Sequence, residues 1–315
     1  MPTYVSKNTL AGGGTLFPAK LVSEMFNTVT GHSSIAKLCG AKPIPFSGMT
    51  EFVFGMDGEA EIVGEAGQKS PNSATFAPVT ITPIKFIYQH RVTDEFMSLS
   101  NEARLPILQS FSDGFAKKIA RGIDIAAFHG INPYSGAASA IVGTNHFDSI
   151  ATTTVSHVRS GAGATNADDV LDTAVQTIVA ADRGVTGIAM SPLFGADMAK
   201  VKVNGVVQYP EFRFGQTPSS FAGWTLDLNN TVNKKISTDT SRDLAIVGDF
   251  RGALRWGYAR NVPFKIIEFG DPDGQGDLQR LNQVCLRAET YVGWGILDAA
   301  SFVRVVETVT AGQTS

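Results

Sequence analysis

Residues 50–81 read TEFVFGMDGEAEIVGEAGQKSPNSATFAPVTI. Apolar and polar residues alternate with a period of two in 50–54 and again in 76–81, which is typical of β-strands. The segment between them is polar and rich in glycine, so the stretch predicts one long hairpin with an irregular tip. Two strands alone bury no core and are marginal in water. The hairpin therefore needs a cover, which is either the rest of the chain or a neighbouring subunit.

The composition is poor in charge. Charged residues make up 17% of the 315 residues, against about 25% in an ordinary soluble domain. This favours a subunit that other subunits largely cover over a monomer with a Ser/Thr/Asn surface. Lys and Arg number 26 and Asp and Glu 29, and the net charge of −3 excludes a nucleic-acid binder that works by bulk charge. The length allows one or two domains with a sizeable core.

The two cysteines, Cys39 and Cys285, are too few for a disulfide framework or a zinc site. We expect buried, reduced thiols and synthesis in a reducing cytosol. The first 20 residues lack the apolar segment of a signal peptide, and no apolar run reaches the roughly 18 residues that a transmembrane helix needs.

Apolar periodicity predicts four helices. The clearest runs from Leu105 to Gly130, with an apolar stripe of Leu, Phe and Ile and with Pro106 in its first turn. The other helices are predicted at 19–30, 167–182 and 191–201, after an irregular glycine-rich arm at 1–18. Strands beyond the hairpin are predicted at 188–190, 244–249, 253–258, 264–269, 284–291 and 302–309.

Motifs for catalysis and cofactor binding are weak. Residues 161–165 lack the Lys-Ser/Thr pair of a phosphate loop, the five His show no metal-binding spacing, and no nucleophile-elbow motif occurs. The best metal candidate is the loop with Asp271, Asp273 and Asp277, whose alternating carboxylates and glycines suit calcium. Asn282 stands where a calcium loop carries its bidentate Glu, so a solvated turn is the favoured interpretation.

The order of motifs along the chain resembles that of the major capsid proteins of tailed bacteriophages, which have the Hong Kong 97-type fold. The resemblance covers nearly the whole chain, although each motif alone is weak. The matching segments are Phe52-Val53-Phe54, Gly64-Glu65, 73–79 (SATFAPV), 82–85 (TPIK), 92–96 (VTDEF), the long helix with Asp124 and Gly130, 248–250 (GDF), and the closing strands 284–306.

The resemblance implies an α+β fold with a defined division of the chain. Residues 1–46 would form an N-terminal arm and short helix, and 47–84 an extended hairpin loop that lies over the adjacent subunit. Residues 85–150 and 253–315 would form a peripheral domain with a long spine helix. Residues 151–252 would form an axial domain that meets its copies around five- and sixfold axes.

The resemblance also implies a structural protein with no cofactor. Its copies would assemble as pentamers and hexamers into an icosahedral shell around phage double-stranded DNA, without sequence-specific binding and without a membrane. The shell would be the virion capsid, assembled in the host bacterial cytoplasm, with a portal and a decoration protein as candidate partners and either a separate scaffolding protein or none. Because the chain starts at the arm, no fused scaffold segment is expected. The alternatives are an encapsulin-type nanocompartment shell around cargo enzymes and, in another class, a soluble α+β hydrolase with dispersed catalytic residues.

Some members of this family form an isopeptide bond between a Lys on the extended loop and an Asn on another subunit, assisted by a Glu. Lys69 lies in the predicted hairpin tip, and Asn282 and Glu289 show the seven-residue spacing of that version. A desolvated lysine loses its proton more readily, and a carboxylate can accept that proton while the amine attacks the carboxamide. The other interpretation is a solvated Lys, a turn Asn and a strand Glu.

Overall fold

The computed structural model of the chain describes residues 32–57, 60–97, 101–161, 163–233 and 243–308. The predicted arm at 1–18 and the predicted helix at 19–30 lie outside these ranges. The helices are α1 Ser34–Leu38, α2 Asp94–Met97, α3 Asn101–His129, α4 Phe147–Ile150, α5 Ala167–Ala180 and α6 Pro192–Met198. The strands are β1 Met49–Asp57, β2 Ser73–Ile81, β3 Ile84–Thr93, β4 Thr154–His157, β5 Gly187–Met190, β6 Lys202–Val203, β7 Val206–Val207, β8 Ser220–Phe221, β9 Trp224–Leu228, β10 Asp243–Gly248, β11 Leu254–Ile267, β12 Gln283–Ile296 and β13 Phe302–Glu307.

The long helix α3 packs against a three-stranded antiparallel sheet with the order β11-β12-β3. Every second side chain of β3 points towards the helix, as the strand period of two requires. Tyr88 therefore contacts Phe111 and Phe115, with ring centroids 6.2 and 5.9 Å apart. The centre of this first core is built from the buried rings of Phe115, Phe128, Trp256 and Trp294.

A six-stranded mixed sheet with the order β4-β13-β10-β5-β9-β8 forms the second half of the fold. Its central strands β5 and β10 are buried along their whole length, because both faces of the sheet are covered. Helices α5 and α6 cover one face through the second core. The other face meets the first core at three rings in mutual contact, those of Phe147, Phe250 and Phe302, with Phe302 edge-on to the other two.

Strands β1 and β2 pair over nine residues into the predicted hairpin. Its base is anchored on the three-stranded sheet, where Ile81 is fully buried and Glu51 forms an ion pair of 3.1 Å with Arg255. A Cβ atom at Gly295 would lie 2.8 Å from Ile81, so this strand needs glycine for the hairpin base to approach. The rest of the hairpin projects from this anchor.

Several predicted boundaries differ from the structure. The strands predicted at 253–258 and 264–269 are one continuous strand, β11, with register shifts between Tyr258 and Arg260 and between Val262 and Lys265. The strand predicted at 284–291 extends to Ile296. Strand β13 pairs with β10 and β4 in the six-stranded sheet, whereas β11 and β12 belong to the three-stranded sheet. The segment 253–315, expected in the peripheral domain, therefore contributes strands to both sheets.

Both cysteines are free and buried, as predicted, and burial raises the pKa of the Cys39 thiol to about 11. Within the described ranges, no helix combines the length and the apolar character that a membrane span needs.

Candidate assembly surface

The hairpin carries an uncovered aromatic face. In the β1–β2 register Phe54 lies opposite Phe76, and Phe52 lies opposite Pro78, so the three phenyl rings share one side of the ribbon. The ring centroids of Phe52 and Phe76 lie 4.9 Å apart. The three side chains are 60%, 56% and 63% exposed in chain order. Exposed apolar patches of this kind mark interaction surfaces, since monomeric proteins rarely expose large contiguous apolar patches.

The hairpin tip is acidic and fully open to solvent in its described part. Residues 57–72 contain four acidic residues and one lysine, Lys69, which gives a charge of −3. The amide of Gly67 donates to the carbonyl of Gly64 at 3.0 Å, and the amide of Ser70 donates to the Glu61 carboxylate at 2.8 Å. Ile62 is 100% exposed beside these carboxylates. An isoleucine side chain that is exposed in this way contributes favourable free energy only when another surface covers it and removes it from water.

A groove of about 420 Å³ lies between β3 and the C-terminal half of α3. The loop of 131–142 forms its outer wall, where Tyr134 and Ile141 are exposed. Two cations, Lys85 on β3 and Lys118 on α3, stand among otherwise mostly apolar lining residues. Because Lys85 is already paired with Glu289 at 3.2 Å, the positive charge of the groove border lies mainly at Lys118.

A second exposed apolar surface belongs to the six-stranded half. The short β6–β7 hairpin turns through Asn204 and Gly205, both with positive φ, and exposes Val203 and Val206. Nearby in sequence, Phe214 is 91% exposed and has a φ of 58°, a conformation that costs a non-glycine residue free energy. Both halves of the fold therefore present apolar side chains to solvent.

The three predicted crosslink residues are placed on separate elements. Lys69 is exposed in the hairpin tip, and Asn282 is exposed in a left-handed conformation at the end of the 3-10 turn Gln279–Leu281. Glu289 is buried on β12, where its carboxylate lies 3.2 Å from Lys85 Nζ. Seven residues of extended strand separate Asn282 from Glu289 by roughly 23 Å. The two side chains of one copy therefore cannot contact the same lysine.

In the loop predicted as a calcium site, two of the carboxylates pair with an arginine side chain. Asp271 and Asp273 both bind the guanidinium of Arg91, which is buried on β3. The hydrogen bond from Arg91 holds the pKa of Asp273 below its ordinary value. Asp277 accepts from the amide of Arg280 at 2.9 Å and caps the following turn. The loop is a network organised by Arg91, and the sequence pattern did not reveal this partner.

Two buried polar clusters connect the elements, and sequence reasoning missed both. Asp124 on α3 accepts hydrogen bonds from the hydroxyls of Ser33 and Thr231 at 2.5 and 3.0 Å and from the amide of Ser34 at 2.8 Å. It therefore joins the start of α1 to the turn Asn230–Asn233. The quoted motif contained Asp124, but only the fold brings its partners together.

The second cluster lies where α3 ends on the six-stranded sheet. Arg304 on β13 binds Asp148 and Asp243, each at 3.0 Å, and His129 Nδ1 lies 3.0 Å from Asp148. Burial and the neighbouring carboxylate of Asp148 raise the pKa of Asp243 to about 7. Burial would also raise the pKa of Asp148. The hydrogen bonds from His129 and Asp243 and the nearby positive charges outweigh that effect, so the pKa of Asp148 is lowered. Although three of these residues could ligate a metal, Arg304 already neutralises their carboxylates.

An α+β subunit with an uncovered aromatic hairpin and exposed apolar surfaces in both halves belongs to the class of proteins that complete their structure by assembling with copies of themselves. The family model described as the phage capsid family matches residues 13–306, and the chain belongs to this family. It is a major capsid protein, a structural subunit of an icosahedral shell. The family match does not favour the encapsulin or hydrolase alternatives.

Solved structures from phages resemble this chain closely. A chain from Mycobacterium phage Ogopogo is 32% identical with a TM-score of 0.74, and the match covers 88% of this chain and 92% of that one. A chain from Gordonia phage Cozz is 27% identical with a TM-score of 0.74, covering 89% and 87%. A chain titled as the capsid of an empty GTA particle shares the fold at 13% identity, covering 88% and 97% with a TM-score of 0.59. A comparison with curated protein sequences gave no match.

Proposed function

We propose that the subunits form pentamers and hexamers in which the hairpin of residues 47–84 lies over a neighbouring subunit, and that the closed shell encloses phage double-stranded DNA. The uncovered aromatic face of Phe52, Phe54 and Phe76 carries this proposal. Covering a phenyl ring that is more than half exposed contributes about 1–2 kcal/mol, so three rings supply about 3–6 kcal/mol for each subunit contact. Repeated around a closed ring, this contribution favours the assembled state strongly.

The division into domains extends this proposal. We assign residues 151–252 together with β13 to the axial domain, because these strands share one sheet. Residues 85–150 and the chain from 253 to the end of β12 belong to the peripheral domain around α3. The exposed Val203, Val206 and Phe214 support contacts of the axial domain with its copies around the symmetry axes.

The enclosed DNA is held without strong binding. The net charge of −3 gives the shell little electrostatic affinity for phosphate, so confinement by the closed wall and counterions accounts for retention. A portal and separate scaffolding and decoration proteins would be the further partners, with assembly in the host bacterial cytoplasm.

The isopeptide crosslink stays a prediction. The amine of Lys69 would attack the side-chain amide carbon of Asn282 on another copy, forming the new amide and releasing ammonia. Glu289 would take the proton from the amine. Given the distance along β12, the assisting Glu289 and the reacting Asn282 would come from different copies. A ladder of bands from boiled particles that disappears with Lys69→Ala would establish it.

The hairpin's role is tested by replacing its aromatic face. The variant Phe52→Ser/Phe54→Ser/Phe76→Ser should keep the circular dichroism of the wild type, because the rings lie outside both cores. Its yield of shells in negative-stain micrographs and size-exclusion chromatography should fall by at least about tenfold, since ~1.4 kcal/mol is already a factor of ten. Deletion of residues 57–72 should likewise leave a folded subunit that forms no shells.

Val179→Ser is the matched control, because Val179 on α5 is similarly exposed at 60% but lies away from the hairpin. It should assemble with the wild-type yield. Normal shells from the triple variant or from the deletion would refute the hairpin's assigned role.

A further inference from the structure

The two buried polar clusters meet at one residue, Thr231, in the turn between β9 and β10. Its hydroxyl donates to the Asp124 carboxyl at 3.0 Å, and its carbonyl oxygen lies 2.8 Å from Nε2 of His129. Nδ1 of His129 contacts Asp148 at 3.0 Å, and Arg304 in turn donates to Asp148 at 3.0 Å. One unbroken chain of hydrogen bonds therefore runs from Asp124 to Arg304. It connects the start of α1 with the six-stranded sheet past the end of α3.

Both ring nitrogens of His129 carry a proton in this geometry. The carbonyl oxygen of Thr231 can only accept, so Nε2 is a donor. At Nδ1 the partner is the carboxylate of Asp148, whose pKa is lowered by hydrogen bonds and nearby cations despite burial, and it also only accepts. A histidine that donates from both nitrogens is positively charged. The other charged groups around it are Asp243 on β10, 3.8 Å from Nδ1, and Arg304 on β13.

A second proton lies between two carboxyls of the same cluster. Asp148 and Asp243 hydrogen-bond each other, which requires a hydrogen on one of them because carboxylate oxygens only accept. Asp243 holds this hydrogen, since burial and the charge of Asp148 raise its pKa to about 7. Arg304 bridges the pair and donates to each carboxyl at 3.0 Å. Loss of the proton therefore places two negative charges side by side in a buried site.

A third proton belongs to Asp124, at the other end of the chain of hydrogen bonds. Its donors in α1 and in the turn are neutral hydroxyls and amides, and burial raises its pKa to about 6 against their effect. The charged groups on the elements beside it are Asp227 on β9 and Lys37, which pair at 2.9 Å, and Asp227 also accepts from the Ser34 hydroxyl at 2.6 Å. Asp124 thus holds a proton in the folded chain at a pH where the unfolded chain has lost it.

We propose that the hydrogen-bond chain from Asp124 to Arg304 is a single proton-dependent clasp, which joins α1, the end of α3 and the six-stranded sheet when protonated and loosens when its carboxyls lose their protons. A carboxyl whose pKa is raised by folding stabilises the folded state fully below its unfolded pKa of about 4. That contribution is lost as the pH rises through about 6 for Asp124 and about 7 for Asp243. The clasp is therefore closed near pH 5 and loose near pH 8. It lies within one subunit and does not depend on the role of the hairpin.

Hydrogen exchange of the unassembled full-length subunit tests the clasp. The probe is the amide of Ser34, which donates to Asp124 at 2.8 Å. After correction for the intrinsic exchange rate, its protection should fall by about a hundredfold or more between pH 5 and pH 8. Each proton that only the closed form holds makes opening about tenfold easier per pH unit, and Asp124 and Asp243 both contribute. Protection that does not change over this range would overturn the proposal.

The variant Asp243→Asn tests whether the two ends of the clasp open together. Asparagine keeps the shape of the side chain but has no proton to lose, so the fall at Ser34 should shrink to about tenfold, which is the effect of Asp124 alone. Asp197→Asn is the matched control. Asp197 is also buried in the six-stranded half, but hydrogen bonds from its cationic partners outweigh burial and lower its pKa. It has no proton to lose in this range, so the control should keep the full hundredfold fall.

The variant Thr231→Val tests the link between the two clusters, because it removes the hydroxyl that bonds Asp124 and keeps the backbone carbonyl. In this background, Asp243→Asn should change the fall at Ser34 by no more than about twofold. If the wild type and Asp243→Asn show the same fall, the two clusters titrate separately and there is no single clasp.

A titration of the wild type gives a readout that does not rely on the folding of any variant. With carbon-13 in the side-chain carboxyl of aspartate, the NMR signal of Asp124 should follow two steps between pH 5 and pH 8, because interacting groups titrate as a pair. A single step, with no change at the pH where Asp243 titrates, would show that the two carboxyls are independent, contrary to the proposal.

Discussion

Asp124 shows how one buried carboxyl holds distant parts of the chain together. Burial raises its pKa to about 6, even though hydrogen bonds from Ser33, Ser34, Ile35 and Thr231 act in the opposite direction. The folded state therefore binds a proton at Asp124 more tightly than the unfolded chain, in which the pKa of aspartate is about 3.9. It follows that this residue's contribution to the free energy of unfolding is largest near pH 4 and falls as the pH rises to about 6.

Comparison of the wild type with Asp124→Asn tests this sign. Asparagine does not titrate, so the stability difference in favour of the wild type should shrink between pH 4 and pH 7, by up to about 3 kcal/mol for a shift of two pH units. Urea unfolding of the unassembled subunit at pH 4, 5, 6 and 7 measures it. A difference that is constant over this range would show that the carboxyl is not the titrating group.

At the scale of the residue, the sequence predicted little of the polar network. Ser33 and Asp124 lie 91 positions apart, and Arg91 and Asp273 lie 182 apart. Hydrogen bonds between residues so far apart along the chain leave no periodic signal in the sequence, whereas helices and strands are identified by their periodicity. For the same reason, the carboxylates of Asp271 and Asp273 suggested a metal loop, although their partner is an arginine.

At the scale of the element, periodicity predicted α3, α5 and α6 and seven of the 13 described strands to within about five residues, but it predicted neither β3 nor the short helices α1, α2 and α4. The stripe predicted at 105–130 is α3, which spans Asn101–His129. The apolar pattern predicts two strands in place of β11, because Asn261 and Pro263 interrupt it. Strand β11 lies at the edge of its sheet, where a proline costs no ladder hydrogen bond, so one strand continues through these residues.

Two glycines should respond to alanine in opposite directions. Gly114 lies in the interior of α3, and no atom would lie within 4 Å of an added Cβ. Gly114→Ala should therefore stabilise the unassembled subunit by about 0.5–1 kcal/mol through helix propensity. A Cβ at Gly257 on β11 would overlap the carbonyl oxygen of Lys42, whose segment pairs along this strand. Gly257→Ala should destabilise by several kcal/mol, on the order of other overpacked sites.

Thermal unfolding of both alanine variants measures the two effects in one experiment. A lower melting temperature for Gly114→Ala would mean that another part of the chain packs against this position. Wild-type stability of Gly257→Ala would contradict the close approach of the segment at 42–44 to β11.

At the scale of the whole molecule, composition already indicated a covered surface, and the aromatic alternation in 50–54 and 76–81 identified the hairpin that needs the cover. The groove between β3 and α3 was not predictable from local patterns. Its walls come from β3, α3 and the loop of 131–142, and each segment alone reads as an ordinary strand, helix or turn. Only the packing of α3 on the sheet brings Lys85 and Lys118 to the same groove.

Arg304 should determine whether the two halves of the molecule unfold together. It lies on the six-stranded sheet and binds Asp148 beside the end of α3, so it joins the two cores. Arg304→Leu leaves Asp148 and Asp243 facing each other without their cation, which should cost about 3–5 kcal/mol near pH 8. Because the pKa of Asp243 is already raised to about 7, its protonation should relieve this cost progressively as the pH falls towards 5.

Scanning calorimetry of the unassembled subunit distinguishes this role from a general loss of stability. The wild type should unfold in one transition, and Arg304→Leu in two at pH 8, because the six-stranded sheet and the α3 half lose their charged link. Arg183→Leu is the matched control, since Arg183 pairs with Asp298 at 2.6 Å on the surface. An exposed pair contributes at most about 1 kcal/mol, so this variant should keep a single transition. A single transition in Arg304→Leu, with a deficit that does not change with pH, would mean that apolar packing alone joins the two halves.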